Sequence, residues 1–394
     1  MKTANRIQIL RLLRRKSQSR SELSAETGLT RAAMSTIIGK LLQEEVVSET
    51  RGRRSAAGRR PVPVELRADY AYSLGLTISR VAVEVGLADF RGMLISRIPV
   101  DVRRANRAEA LRRIKAALEG AMKEYPGARW LGLGISTPGP VDVATATVLS
   151  PPNFEMWHDA CLRDEFKDLG IGNIFLENNA QALTMAEKSF GIGRMASSFV
   201  LIEVEAGIGG GLVFNGEIYS GWGGFGNEIG HISIDQNGPQ CKCGLRGCVE
   251  LYSAPARILT EVRKKHPGIR NWEHFIDRAI AGEPYCKKVL AKQAQALSTA
   301  IVNVINVLEL DAVVLTGDIL YRGELLRSEI ERLVNEFAIN RQRRQVPVYL
   351  SPLGERPELK AAAGIPAEKF FQGLVEPVRL KPNGSQGQPS ARRK

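Results

Sequence analysis

Residues 230–250 read GHISIDQNGPQCKCGLRGCVE, and the rest of the chain is best read outward from them. His231, Cys241, Cys243 and Cys248 fall within eighteen residues, spaced H-x9-C-x-C-x4-C. One imidazole and three thiolates form a ligand set suited to tetrahedral Zn²⁺, and Gly238, Pro239, Gly244 and Gly247 let the chain turn back between them. Five cysteines among 394 residues are too few for a disulfide scaffold. In a reducing compartment, clustered thiols are explained better by a metal than by a disulfide. The expectation is structural zinc on His231, Cys241, Cys243 and Cys248, with Cys161 and Cys286 as ordinary core thiols.

Around this loop, apolar runs alternate with amphipathic stretches. Strands are expected at SLGLTIS (73–79), VAVEVGLAD (81–89), WLGLGIS (130–136), NIFLEN (173–178), FVLIEVE (199–205), GLVFNG (211–216) and AVVLTG (312–317). Helices are expected at Arg107–Glu124, Ala180–Phe190, Trp272–Ala281, Tyr285–Leu308 and Arg322–Asn340. This alternation is an α/β signature, and two glycine-bearing sheets with motifs at their strand ends imply two lobes flanking a cleft.

The hydrophobic fraction is 44%, enough for a sizeable core, and no apolar run approaches the ~20 residues of a membrane span. The first residues, MKTANRIQIL, lack the apolar stretch of a signal peptide, so a cytoplasmic, nucleoid-associated protein is expected. The net charge of +13 is uneven. Residues 1–67 carry +9, residues 379–394 carry +5, and the stretch between carries −1. Basic ends on a near-neutral body suit a polyanionic partner, although a basic face can also serve only to solubilise.

Within 5–66, three short helices and a hairpin are expected. Asn5 can cap the first helix, Ser21 opens SELSAETG, and Gly28 ends it as a left-handed residue does. Thr30 caps RAAMSTIIGKLLQEE, with Met34, Ile37, Ile38, Leu41 and Leu42 on one face. Two helices joined at a glycine turn are the helix-turn-helix pattern, and the third helix is the one to enter a major groove. Its outward face carries Arg31, Ala32, Ser35 and Thr36, small or hydrogen-bonding groups facing base edges, with Lys40 toward phosphate. A basic loop with Arg53, Arg54, Arg59 and Arg60 then joins two short strands as a wing over the duplex. A small bundle with a solvated basic loop is the bland alternative.

The run GNEIGHI…CKCGLRGCVE, with STPGPVD (136–142) and LENNAQALTMAE (176–187), resembles the ROK family of repressors, open reading frames and sugar kinases. The likeness spans about residues 5–375, and the basic first unit with its AAGRRPV continuation is similar to the repressor branch, the xylose-type and N-acetylglucosamine-type regulators. It implies an actin-like, hexokinase-like two-lobed body (68–378), preceded by a winged helix-turn-helix domain (1–67); the polar, turn-rich composition of PNGSQGQPSARRK separately predicts a basic disordered tail (379–394). It also implies a sugar site at Gly139, Asn153, Asn178, Asn179, Glu228, His231 and Glu250, with zinc pinning the loop that presents the last three.

Against the kinases of that family, several positions depart. Asn179 stands where they place the aspartate general base, and an amide cannot take a proton. The first phosphate strand reads GLTISR, with Thr77 for a carboxylate and Ser79 and Arg80 for glycines. The second phosphate loop is Glu205-Ala206-Gly207-Ile208-Gly209, whose carboxylate repels triphosphate. The adenosine region keeps Thr316-Gly317 for Gly-Gly. No catalytic residue is therefore expected. The implied protein is a sugar-responsive regulator, a repressor on double-stranded operator DNA, acting as a homodimer or dimer of dimers. An ATP-dependent sugar kinase, or a regulator answering to a protein partner, are the alternatives.

Overall fold

In the computed structural model, which describes residues 2–49, 62–221, 226–339, 341–354 and 357–379, three helices open the chain. They are α1 (Lys2–Arg15), α2 (Arg20–Thr27) and α3 (Arg31–Gln43), accompanied by strands β1 (Gln18–Ser19), β2 (Val47–Glu49) and β3 (Pro63–Leu66) in the antiparallel order β1-β3-β2. Asn5 lies inside α1 and caps nothing. Ser19, not Ser21, caps α2: its hydroxyl accepts from Glu22 N while the Glu22 carboxylate returns to Ser19 N at 2.7 Å, a reciprocal capping box. Gly28 ends α2 with φ 71°, and Thr30 caps α3, as the sequence predicts. The basic loop with Arg53, Arg54, Arg59 and Arg60 lies outside the described residues.

The body comprises two sheets built alike. The first holds β4 (Tyr72–Ile78), β5 (Val83–Asp89), β6 (Leu94–Val100), β7 (Arg129–Thr137) and, after the small β8 (Val141–Asp142), β9 (Thr147–Val148) and β10 (Ala160–Cys161), strand β11 (Ile174–Asn178). Its order is β11-β7-β4-β5-β6, an antiparallel meander extended by two parallel strands. Helix α4 (Arg107–Lys123) covers it with Ala110, Leu111, Ile114, Leu118 and Ala121, and α5 (Leu162–Phe166) precedes β11. Helix α6 (Asn179–Phe190) then leads to the second sheet: β12 (Phe199–Val204), β13 (Ile208–Phe214), β14 (Glu217–Tyr219), β15 (Ala312–Gly317) and β16 (Val348–Leu350), ordered β14-β13-β12-β15-β16. The same meander-plus-two pattern recurs. Helices α7 (Glu250–Ser253), α8 (Pro255–Lys265), α9 (Trp272–Ile280), α10 (Pro284–Leu308) and α11 (Glu324–Phe337) serve the second lobe.

Helix α12 (Pro357–Phe371) lies with α6 between the lobes and was not foreseen, because its run of small residues is buried on every side and shows no helical period. Glycines make the fit possible. A Cβ at Gly75 would stand 2.6 Å from Ala363 N, and one at Gly134 would stand 2.1 Å from Ala362 O. Likewise β13 starts at Ile208 rather than 211, and Gly209 and Gly211 let the strand pass under α6: a Cβ at Gly211 would overlap the Thr184 hydroxyl. Strand β6 and helices α5 and α8 were also missed.

The first unit does not close its own core. Ile9, Leu10, Leu13, Leu23, Met34, Ile38 and Leu41 pack with Phe90, Leu131, Phe370 and Phe371 of the body in one apolar cluster. A last strand, β17 (Val378–Arg379), pairs antiparallel with β7, so Arg379 belongs to the ladder and not to the tail; residues 380–394 lie outside the described residues. Cys286 is buried as predicted, whereas Cys161 is only half-buried, on the edge strand β10. Among the described residues no helix is long and apolar enough to cross a membrane.

Candidate functional site

His231 closes a short 3-10 turn (Ile229–His231), and the cysteines follow on a loop held by two isolated bridges, Ser233 with Cys248 and Gln240 with Arg246. One ligand atom from each of His231, Cys241, Cys243 and Cys248 lies within 4.8 Å of the others. Cys243 Sγ and Cys248 Sγ are 3.5 Å apart, and Cys241 Sγ is 3.7 Å from His231 Nδ1. Tetrahedral bonds of about 2.0–2.3 Å set ligand atoms about 3.5–3.8 Å apart, so the cluster fits a tetrahedral metal; sulfurs joined as a disulfide stand at about 2.05 Å. Gly247 is required: with φ 66°, a Cβ there would run into Asp235 O.

The metal loop delivers three carboxylate and imidazole groups to one place. Glu228 is exposed, but partial desolvation pushes its carboxyl up, His231 pulls it down and Glu250 pushes it up again, so the three sense one another. Glu250 opens α7, and its Oε2 accepts from Ile208 N at 3.3 Å. Gly207 leaves room for that carboxylate, since a Cβ there would come within 2.6 Å of it.

In the first lobe, Asn178 ends β11 opposite Thr137 and caps α6, accepting from Gln181 N at 2.8 Å. Asn179 accepts from the Ser136 hydroxyl at 2.9 Å, and a Cβ on Gly139 would stand 3.4 Å from that of Asn178. Two residues that sequence reasoning missed join the halves. Asn227 Nδ2 donates to Gln181 Oε1 (3.3 Å) and to the Tyr219 carbonyl (2.7 Å). Asn227 has φ 67° and lies within the GNEIGHI run itself, a signal that could have found it. Asn153 stands apart: it is exposed with φ 55°, and among the described residues its side chain makes no hydrogen bond to the others. Arg80 ties its loop to the β4–β5 turn by donating to the Pro152 carbonyl at 3.0 Å.

Acidic groups crowd the strand ends where the resemblance places nucleotide motifs. Glu203 pairs in register with Thr316, and neither Glu203 Oε1 nor the Thr316 hydroxyl finds a partner among the described residues. Burial, then Glu205 and Glu358, push the Glu203 carboxyl well up. Burial, Glu358 and Asp318 push Glu205 up to about 7, with Arg80 opposing. A triphosphate here would meet carboxyl groups rather than backbone donors. Because the Glu205 carboxyl is raised, the stability it permits is fully present below about 4.5 and is lost as pH rises through about 7. Glu205→Gln is therefore expected to be more stable than the parent at pH 8, by up to about 3 kcal/mol, and equally stable near pH 4.5. Melting curves across that range check it, and a difference independent of pH refutes it.

In the first unit, Met34, Ile38 and Leu41 face the core, which leaves Arg31, Ala32, Ser35, Thr36 and Lys40 exposed together along the other side of α3. Arg31 and Lys40 make no ion pair among the described residues. The Thr36 hydroxyl is spent on Ala32 O at 3.0 Å, so it can only accept from a partner.

The ROK family model matches residues 74–363. A glucokinase of Thermotoga maritima is 30% identical over 311 residues, 75% of this chain and 98% of its own length. A xylose repressor of Bacillus subtilis is 26% identical over 380 residues, 95% of this chain and 97% of its own. The crystal structure of a ROK family transcriptional regulator, a homolog of the E. coli MLC protein, superposes with a TM-score of 0.78 at 23% identity, covering 95% of this chain and 97% of that one; it speaks to the fold.

Proposed function

The chain belongs to the ROK family, and from that premise we propose that it is a sugar-responsive transcriptional regulator, a repressor whose body receives the sugar and whose first unit grips DNA. The observation that carries this reading is coverage. The likeness to the xylose repressor covers 95% of this chain and so extends into the amino-terminal unit, whereas the glucokinase, itself covered almost whole, leaves a quarter of this chain without a counterpart.

The finer assignments follow the same logic. Residues 1–67 act as a winged helix-turn-helix whose α3 face, Arg31, Ala32, Ser35, Thr36 and Lys40, enters the major groove, with Arg53, Arg54, Arg59 and Arg60 on the wing. Residues 68–379 form the sugar-binding body, and 380–394 a basic tail. Glu228, His231 and Glu250 bracket sugar hydroxyls from one side, and Gly139, Asn178 and Asn179 from the other, with Asn153 reaching them from its loop. Zinc, the metal best suited to three thiolates and an imidazole, holds the Glu228–Glu250 loop in place and takes no part in chemistry. Two-fold dimers set two α3 helices on a pseudo-palindromic operator in the cytoplasm, half-sites about one or two turns of ~10.5 bp apart.

The glucokinase relative favours a second reading, ATP-dependent sugar phosphorylation. Asn179 at the position of the general base and the acidic strand ends speak against it. A panel of D-xylose, D-glucose, N-acetylglucosamine and their phosphates separates the two. One member is expected to raise the melting temperature, by about 2.7 kcal/mol of stabilisation at 100 times its Kd, and to change the affinity for a duplex selected from a random pool. ATP with that sugar is expected to yield no ADP. Brisk turnover, or no duplex binding at low salt, overturns the proposal.

A further inference from the structure

Helix α6 begins at the candidate sugar site and ends against the first helix of the chain. Asn178 and Asn179 stand at its start. Twelve residues on, about 18 Å at 1.5 Å per residue, its last turn carries Lys188, Ser189 and Phe190. Lys188 Nζ lies 2.9 Å from Glu368 Oε1 on α12 and 3.6 Å from Glu217 Oε2 on β14. Each of these carboxylates also holds an arginine of α1. Arg14 donates to Glu368 Oε2 at 2.6 Å, and Arg11 donates to Glu217 Oε1 at 2.9 Å. Ser189 adds a hydrogen bond to Glu368 at 3.0 Å, and the Arg14 guanidinium stands over the rings of Phe190 and Phe371, 5.1 and 4.5 Å from their centroids.

A second thread reaches the same point. Strand β14 carries Glu217 at one end and Tyr219 at the other, and the Tyr219 carbonyl accepts from Asn227 and Gln181 beside the candidate site. Both threads meet at Lys188. It is the shared cation of two ion pairs that would otherwise be separate, Arg14 with Glu368 and Arg11 with Glu217. Burial favours a neutral Glu368, but Arg14 and Lys188 outweigh it and hold the carboxyl at about 2, so the knot stays ionised.

We propose that Lys188 is the positioning residue that makes α1 follow α6, so that a sugar settling between Asn178, Asn179 and the Glu228 loop alters the DNA grip through the Arg11–Glu217–Lys188–Glu368–Arg14 knot. The inference rests on the sugar-and-DNA reading above. A rigid helix carries a displacement of its capped end to its far end, and an ion-pair knot has discrete arrangements, bridged or released. Take Lys188 away and each arginine keeps its own carboxylate: α1 stays docked, and of its ties to α6 the ionic one is lost while the Ser189–Glu368 hydrogen bond and the Arg14–Phe190 contact remain. The sugar then loses the differential contact through which it can shift the DNA-reading unit.

The test uses the full chain, the duplex selected from a random pool, and whichever of D-xylose, D-glucose or N-acetylglucosamine raises its melting temperature. Sugar Kd, duplex Kd and their ratio with and without sugar are measured for the parent, Lys188→Met and Lys188→Arg. The methionine variant is expected to keep both separate affinities within threefold while the sugar-dependent change in duplex affinity shrinks at least fivefold; the arginine variant restores it. Equal coupling in parent and Lys188→Met overturns the inference and leaves the functional reading intact. Loss of both affinities together also overturns it, since Lys188 then only supports the fold. A parent whose duplex affinity ignores every sugar sinks the functional reading itself, and the inference with it. Should Lys188→Met fail to fold, Lys188→Gln undergoes the same measurements.

Discussion

Cys248→Ser is expected to leave the purified chain without metal: about one equivalent in the parent, below a tenth in the variant. Cys248 is fully buried, 3.5 Å from Cys243 Sγ and 3.6 Å from the His231 carbonyl, so a serine hydroxyl there can neither reach a metal at thiolate distance nor escape to water. A closed structural site lends its binding energy to the fold, with ~10–16 kcal/mol measured for isolated zinc-finger peptides. Only part of that applies to a loop embedded in a larger lobe, but the part falls on the segment carrying Glu228 and Glu250. Sugar affinity is therefore expected to disappear in Cys248→Ser while the other lobe keeps its melting transition. Elemental analysis and a thermal scan decide, with the chelator-treated parent as reference. Equal metal content in parent and variant removes the site from the account.

The second large effect concerns the joint between the units. Glu368→Ala is expected to cost about 3–5 kcal/mol of stability, because Arg14 is left charged, 8% exposed and without its carboxylate. Two Arg14 nitrogens already lack partners among the described residues, so nothing nearby is ready to replace Glu368. Denaturant titration of parent and variant measures it. A loss below about 1 kcal/mol, the range of surface ion pairs, would mean that the joint opens to water.

How much of this was legible in the sequence depends on the range of the forces involved. The cluster of His231, Cys241, Cys243 and Cys248 could be read because its members are neighbours in the chain. Helices α2 and α3 could be read because Gly28 and Thr30 act on their own backbone. Strands β4, β7 and β12 announced themselves as apolar runs, buried on both faces. What escaped depends on distant partners. Helix α12 has no polar face, so its alanines carry no period, and only the sheet glycines Gly75 and Gly134, far away in sequence, explain its place. Gln181 looks like an ordinary helix residue until Asn227 meets it. The ionic knot joins residues 11, 14, 188, 217 and 368, and no local pattern brings those numbers together. Asn153 is the reverse case, a residue named by its motif and left by the fold in the open.

The apolar cluster that α1 shares with Phe370 and Phe371 has a bearing on the newborn chain. Helix α1 leaves the ribosome long before the α12 residues it packs on. At about 5–20 residues per second, the interval between Arg14 and Phe371 is roughly 20–70 seconds, during which the leading helices have no finished seat. A chain that stops before that phenylalanine pair leaves Ile9, Leu10 and Leu13 without the aromatic half of their cluster.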